Sequence, residues 1–223
     1  MQKQKYDGVI FDLDGTLWDS VKSVVDIWNK ALASVGIEPT MNYDELSKCM
    51  GLRIEQIFDR VIPQATQKQR ELIKERCLET EKDYLAKHGG VLYDNVEDTL
   101  KELQKEYRLF IVSNCQDGYI QAFFKAHGLQ KYFEDYECAG RTGLSKGQNI
   151  SLLAERNSLE NPIYVGDTIS DYEATVEAEV PFLFARYGFG DVENARLIAD
   201  SFEDIKLKLK EEIWNYRQIS CVK

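Results

Sequence analysis

An apolar run, Val9-Ile10-Phe11, leads straight into Asp12-Leu13-Asp14-Gly15-Thr16, and no other stretch restricts the fold of this chain as much. A short run of this kind stopped by glycine predicts a buried strand. Residues two apart in an extended backbone share a face, so the strand would deliver two carboxylates side by side at its end. Crowded carboxylates cost free energy unless a cation, a basic side chain or a shared proton holds them, so a partner is expected further along the chain. An EF-hand loop is excluded, because counting from Asp12 its sixth position would be Leu17 instead of Gly and its twelfth Ser23 instead of Glu.

The order of the remaining patterns limits the architecture. Asp19 or Ser20 can cap a helix with Val21, Val24, Val25, Trp28, Leu32 and Val35 at helical spacing, stopped by Gly36. Helical patterns follow at Tyr43 to Met50, at Ile54 to Val61 and, after Pro63, at Thr66 to Lys87, ending in Gly89-Gly90. Uninterrupted by any strand pattern, this block reads as a helical insert entered just after the first strand. Beyond Gly90, helices at Val96 to Glu106, Tyr119 to Ala126, Gln148 to Arg156 and Tyr172 to Ala178 alternate with strands at Leu109 to Val112, Tyr136 to Ala139, Ile163 to Val165 and Phe182 to Phe184. Such alternation implies a parallel sheet of five strands, with a sixth at Leu197 to Ala199 before a helix from Phe202 to about Tyr216.

Composition narrows the class. With 43% apolar residues among 223, the chain can furnish a core, and its net charge of -10 argues against nucleic acid or an anionic membrane as a partner. No window approaches 18 uncharged apolar residues and no signal-peptide segment is evident, so the cytoplasm is the expected location. The five cysteines, at 49, 77, 115, 138 and 221, include no Cys-x-x-Cys pair and are expected as packed, reduced thiols. An anionic substrate would have to be met by a local cation, not by the field of the whole protein.

In an open parallel sheet, ligands bind beyond the carboxyl ends of the strands. There the first strand offers Asp12 and Asp14, the second Ser113 and Asn114, and the fourth Gly166-Asp167 followed by Asp171, while Lys146 lies in the loop before the preceding helix. Other glycine signals do not compete: Gly188-x-Gly190 has Glu193 where a dinucleotide fingerprint needs its third glycine, and Gly143-Leu144-Ser145-Lys146 lacks the ending of a P-loop.

These residues, in this order, resemble the haloacid dehalogenase-like hydrolases, in the helical-cap phosphatase branch similar to phosphoglycolate phosphatase. Phe-Asp-Leu-Asp-Gly-Thr-Leu-x-Asp-Ser at 11–20 matches the first motif of that family, Ile-Val-Ser-Asn at 111–114 the second, Lys146 the third, and Val-Gly-Asp-Thr-Ile-Ser-Asp at 165–171 the fourth. The resemblance implies an α/β fold with a Rossmann-like parallel core at 1–17 and 89–223 and an all-helical cap at 18–88. It implies a Mg²⁺-dependent phosphatase that acts on a small phosphorylated metabolite through an aspartyl-phosphate, as a monomer or alternatively a dimer.

Within that resemblance Asp12 is the nucleophile and Asp14 the general acid and base. The ligands of Mg²⁺ are Asp12, the backbone carbonyl of Asp14, and Asp167, with Asp171 orienting metal waters or Lys146. Ser113, Asn114, Thr16 and Lys146 serve the phosphate, with the backbone N–H groups after Asp12, and Arg53 in Gly51-Leu52-Arg53 is the cap residue expected to reach the leaving group. Dehalogenases of the superfamily lack an acid at the position of Asp14, since halide leaves without protonation, so an oxygen leaving group is expected. The alternatives are a sugar phosphomutase of the same superfamily, disfavoured by Thr16, and a catalytically inactive binding module.

Overall fold

The computed structural model describes residues 6–193 and 195–210. β1 (Gly8–Phe11) opens the chain, and β2 (Trp18–Asp19) follows after a tight turn in which Leu17 N–H donates to the Leu13 carbonyl at 2.8 Å. Four helices come next: α1 (Val21–Ala33), α2 (Tyr43–Ser47), α3 (Ile54–Val61) and α4 (Gln67–His88). The start of α4 is set by a capping box in which Thr66 and Gln69 satisfy each other's backbone N–H.

β3 (Val91–Leu92) then returns beside β2, with Trp18 opposite Leu92 and Asp19 opposite Val91 in an antiparallel pair. The chain therefore leaves and re-enters the sheet region through two adjoining strands. A two-residue ribbon carries no periodic signal, which is why sequence patterning did not anticipate it.

The alternating part runs α5 (Val96–Leu103), β4 (Arg108–Ser113), α6 (Tyr119–His127), β5 (Asp135–Cys138), α7 (Ala139–Thr142), α8 (Lys146–Arg156), β6 (Pro162–Gly166), α9 (Ile169–Ala178), β7 (Phe182–Ala185), β8 (Leu197–Ala199) and α10 (Ile205–Lys208). Several boundaries differ from expectation: α2 and α5 end three residues early, at Ser47 and Leu103, α9 starts three residues early, at Ile169, and α10 starts three residues late, at Ile205. Ala139 opens α7 instead of closing a strand. Lys146 is the first residue of α8, not a loop residue, because Ser145 and Gln148 form a capping box that starts this helix two residues early. Of the expected C-terminal helix, 211–216 lies outside the described residues, and so does Cys221.

The six main strands form one parallel sheet in the order β5-β4-β1-β6-β7-β8. β1 lies between β4 and β6, with Phe11 paired to both Ile111 and Val165. The chain runs to one side of β1 through β4 and β5, then crosses to the other side through β6, so the strand order reverses at β1 and a crevice opens beyond its end. Alternation along β1 sends Val9 and Phe11 into a core shared with Leu100, Phe123 and Phe202, while Ile10 enters the opposite layer with Ile150, Leu153 and Ala174. Each of these side chains is worth about 1.5–3 kcal/mol in transfer from water, and that fixes the register of β1.

α4 packs on both α1 and the sheet-flanking α6, so the helical block rests on the core. Two further contacts join its 51–53 turn to the strand ends. Asn114 Nδ2 donates to the Gly51 carbonyl at 2.8 Å, and the Arg53 guanidinium donates to the carbonyls of Gly143 and Leu144.

Candidate active site

Asp12 sits one residue past β1, and its N–H still donates to the Val165 carbonyl at 2.8 Å, so the sheet itself aims the carboxylate. Lys146 Nζ donates to Asp12 Oδ1 at 3.0 Å and to Asp171 Oδ1 at 2.6 Å, all three side chains being sealed from solvent. Asp171 Oδ2 accepts from Thr168 N–H at 2.9 Å and Thr168 Oγ at 2.6 Å, which caps α9. Both Asp171 oxygens are thus committed. Asp12 Oδ2 is buried and has no hydrogen-bond partner among the described residues.

Asp167, at the end of β6, accepts from Thr16 Oγ at 3.3 Å and from Phe189 N–H at 2.8 Å. Gly15 makes its close approach possible: at φ +85° it adopts a conformation few L side chains tolerate, and a Cβ there would stand 2.1 Å from Asp167 Oδ2. Asp14 Oδ1 accepts from Ser20 Oγ at 2.6 Å and lies 3.1 Å from the Tyr119 hydroxyl, which is also 2.8 Å from Ser20 Oγ.

Of the two caps the sequence offers for α1, Asp19 takes a helix N–H, its Oδ1 accepting from Val21, while the Ser20 hydroxyl serves Asp14. Tyr119 was passed over as a helix start. The sequence signal for Ser20 was its place in the first motif; for Tyr119 there was none, since contact across 105 positions is purely tertiary.

Burial pushes the Asp12 carboxyl up to about 7 despite the opposing charge of Lys146, and the Asp14 carboxyl up to about 6 despite the bonds from Ser20 and Tyr119. Asp167 is likewise raised by burial, and by the charges of Asp171 and Asp12. For Lys146, burial works against the charged form, but Asp12 and Asp171 outweigh it and hold the ammonium above its ordinary range.

Four buried acids thus face one buried lysine. Ligand oxygens of Asp12, Asp167 and Asp171 lie within 4.8 Å of one another. An all-oxygen set with surplus negative charge and an orphaned carboxylate oxygen fits a hard divalent cation. Since Asp171 is held by Lys146 and Thr168, the oxygens best free to ligate belong to Asp12 and Asp167.

Above the acids lies a recess of about 620 Å³, including the part open to solvent, between the helical block and the strand ends. Of the residues expected at the site, Asp12, Asp14, Ser113 and Asn114 line it. Lys146, Asp167 and Asp171 stand around Asp12 without lining the recess, Thr16 turns its hydroxyl to Asp167, and Arg53 is engaged with the backbone at 143–144. Trp28 and Glu81, on α1 and α4, also line the recess and were not singled out from the sequence.

The family profile of the haloacid dehalogenase-like hydrolases matches residues 9–185, and the chain belongs to that family. It is 25% identical over 221 residues to a phosphoglycolate phosphatase of Vibrio parahaemolyticus, covering 92% of this chain and 96% of the relative. It is 28% identical over 212 residues to the phosphoglycolate phosphatase of Aliivibrio fischeri, covering 88% and 90%. Among solved structures, a haloacid dehalogenase-like family hydrolase from Streptococcus pneumoniae superimposes with a TM-score of 0.81 at 20% identity, over 92% of this chain and 99% of the other. A predicted phosphoglycolate phosphatase from Haemophilus somnus gives 0.79 at 23% identity, over 95% and 100%. At these identities the structural likeness is one of fold.

Proposed function

We propose that this hydrolase is a Mg²⁺-dependent phosphatase that cleaves small phosphate monoesters through an aspartyl-phosphate on Asp12. The observation that carries the reading is the Asp12 carboxylate itself: one oxygen is held by Lys146 and the other is buried with no partner among the described residues, at the topological switch point of the sheet. Phosphate monoesters are inert enough to demand up to ~10²¹-fold acceleration, which no single group supplies. Asp12 and Asp167, with the Asp14 carbonyl, would hold Mg²⁺, which when bound neutralises charge between the nucleophile and the anionic phosphate.

One carboxylate oxygen of Asp12 attacks phosphorus and displaces the ester oxygen, while the other would be left to the cation. Asp14, whose burial favours the protonated form, gives its proton to the leaving oxygen and then takes one from the water that hydrolyses the phosphoenzyme. Lys146 and Ser113, with backbone N–H groups after Asp12, serve the equatorial oxygens, and Asp171 keeps Lys146 aimed. Residues 18–88 act as a cap that turns about the Trp18–Asp19 and Val91–Leu92 ribbon, excluding water when closed. The names of the relatives support this reading.

The test is phosphate release from p-nitrophenyl phosphate with Mg²⁺ and with EDTA. Release in Mg²⁺ that stops in EDTA is expected; no metal-dependent release from any phosphate monoester would refute the reading.

A further inference from the structure

The 18–88 segment lines the recess with Val24, Trp28, Leu46, Met50, Leu52 and Ile54, and with one acid. Glu81, on α4, lines it too and is only 9% exposed as a residue. Trp28 Nε1 donates to Glu81 Oε1 at 2.7 Å and holds the group in place, while Oε2 accepts no hydrogen bond from a described residue. Among the described residues no Lys, Arg or His lines the recess, and the carboxyl groups that line it are those of Asp12, Asp14 and Glu81. Burying a carboxylate without full compensation is costly, and an apolar helix-packing position would ordinarily hold a leucine. Glu81 lines the same recess as Asp12 and Asp14, which gives that cost a use.

Resting on the phosphatase reading, we infer that the leaving group is an apolar alcohol bearing an amine or another hydrogen-bond donor received by Glu81, and that carboxylate-bearing alcohols are disfavoured. A carboxylate on the leaving group would meet like charge and no base among the described lining residues, whereas an ammonium or hydroxyl satisfies Oε2 and the apolar residues cover the remainder. Although the named relatives are phosphoglycolate phosphatases, a leaving group like glycolate, small and anionic, lacks both complements in this recess.

The experiment compares 4-(aminomethyl)phenyl, phenyl and 4-(carboxymethyl)phenyl phosphates at mildly alkaline pH with Mg²⁺, in the wild type and in Glu81→Gln, which keeps an acceptor for Trp28. The amine should exceed the carboxylate in kcat/KM by about 10- to 150-fold, the span of one charge-assisted hydrogen bond, and Glu81→Gln should collapse that ratio. Calorimetric binding of 4-(aminomethyl)phenol against 4-hydroxyphenylacetate reads the same preference without turnover. Equal affinity for the two alcohols, affinity for neither, or a ratio unchanged in Glu81→Gln overturns the inference. Selective binding of the amine with no phosphate released from any of the three esters would uphold Glu81 and refute the phosphatase reading alone.

Discussion

Lys146 Nζ stands 3.0 Å from Asp12 Oδ1, and both side chains are shut away from water. Among the described residues this lysine is the one buried cation, set against the four acids of the site, so its removal should be felt twice. Lys146→Gln should lower kcat about 10²- to 10³-fold through lost stabilisation of the transferring phosphoryl group. Without metal it should also destabilise the fold by about 3–5 kcal/mol, the usual cost of orphaning a buried charge. Denaturant unfolding in EDTA and in Mg²⁺ checks the second effect, which should be smaller with metal bound.

The acids make a pH prediction of definite sign. In the metal-free fold the Asp12 and Asp14 carboxyls are pushed up to about 7 and about 6 from 3.8, chiefly by burial. Between about pH 4 and 7 the folded chain therefore holds protons that the unfolded chain has released, and stability falls as pH rises through that window. Thermal melts in EDTA should show a lower Tm at pH 8 than at pH 5.5. Mg²⁺ should restore more at pH 8, by about 2.7 kcal/mol when present at 100 times its Kd. A metal-free Tm that climbs across this range would contradict the burial of the acids.

Ser20 and Tyr119 both bear on Asp14 Oδ1, and bonds to that oxygen favour its ionised form. Ser20→Ala and Tyr119→Phe should each raise the Asp14 pKa and move the alkaline limb of the kcat/KM profile to higher pH. Asp14→Asn should retain Mg²⁺ binding, because only its carbonyl is asked to ligate, and should lose least on esters with good leaving groups. A pH–rate series on aryl and alkyl phosphates measures both.

Much of this site was legible because its residues sit at strand ends. An apolar run stopped by Asp12-Leu13-Asp14-Gly15 announces both a strand and what lies beyond it, and Val165-Gly166-Asp167 repeats the device. The hidden part depends on contacts between distant segments. Glu81 is one acid among many along a charged helix; its place in the row Ile73, Cys77, Glu81, Leu85 puts it on the buried face, but its bond to Trp28 is a tertiary contact that spacing does not reveal. Tyr119 looks like any aromatic at a helix start. Ser20 carried two compatible signals, a helix cap and a motif residue, and the tertiary contact with Asp14 took the hydroxyl.

Arg53 was expected at the leaving group, yet its guanidinium bridges to the 143–144 carbonyls just before Lys146. Arg53→Ala should therefore weaken closure and lower kcat/KM by a similar factor, up to about tenfold, on small and large esters alike. A loss confined to larger metabolite esters, with p-nitrophenyl phosphate spared, would return Arg53 to a direct role in recognition.

The account turns on Asp12 as the nucleophile, and Asp12→Asn tests it most directly because the change keeps the shape and removes the charge. Phosphate release from p-nitrophenyl phosphate in saturating Mg²⁺, measured beside a thermal melt of the same preparation, should vanish while a single cooperative unfolding transition persists. Near-normal turnover from a normally folded Asp12→Asn protein would contradict the mechanism.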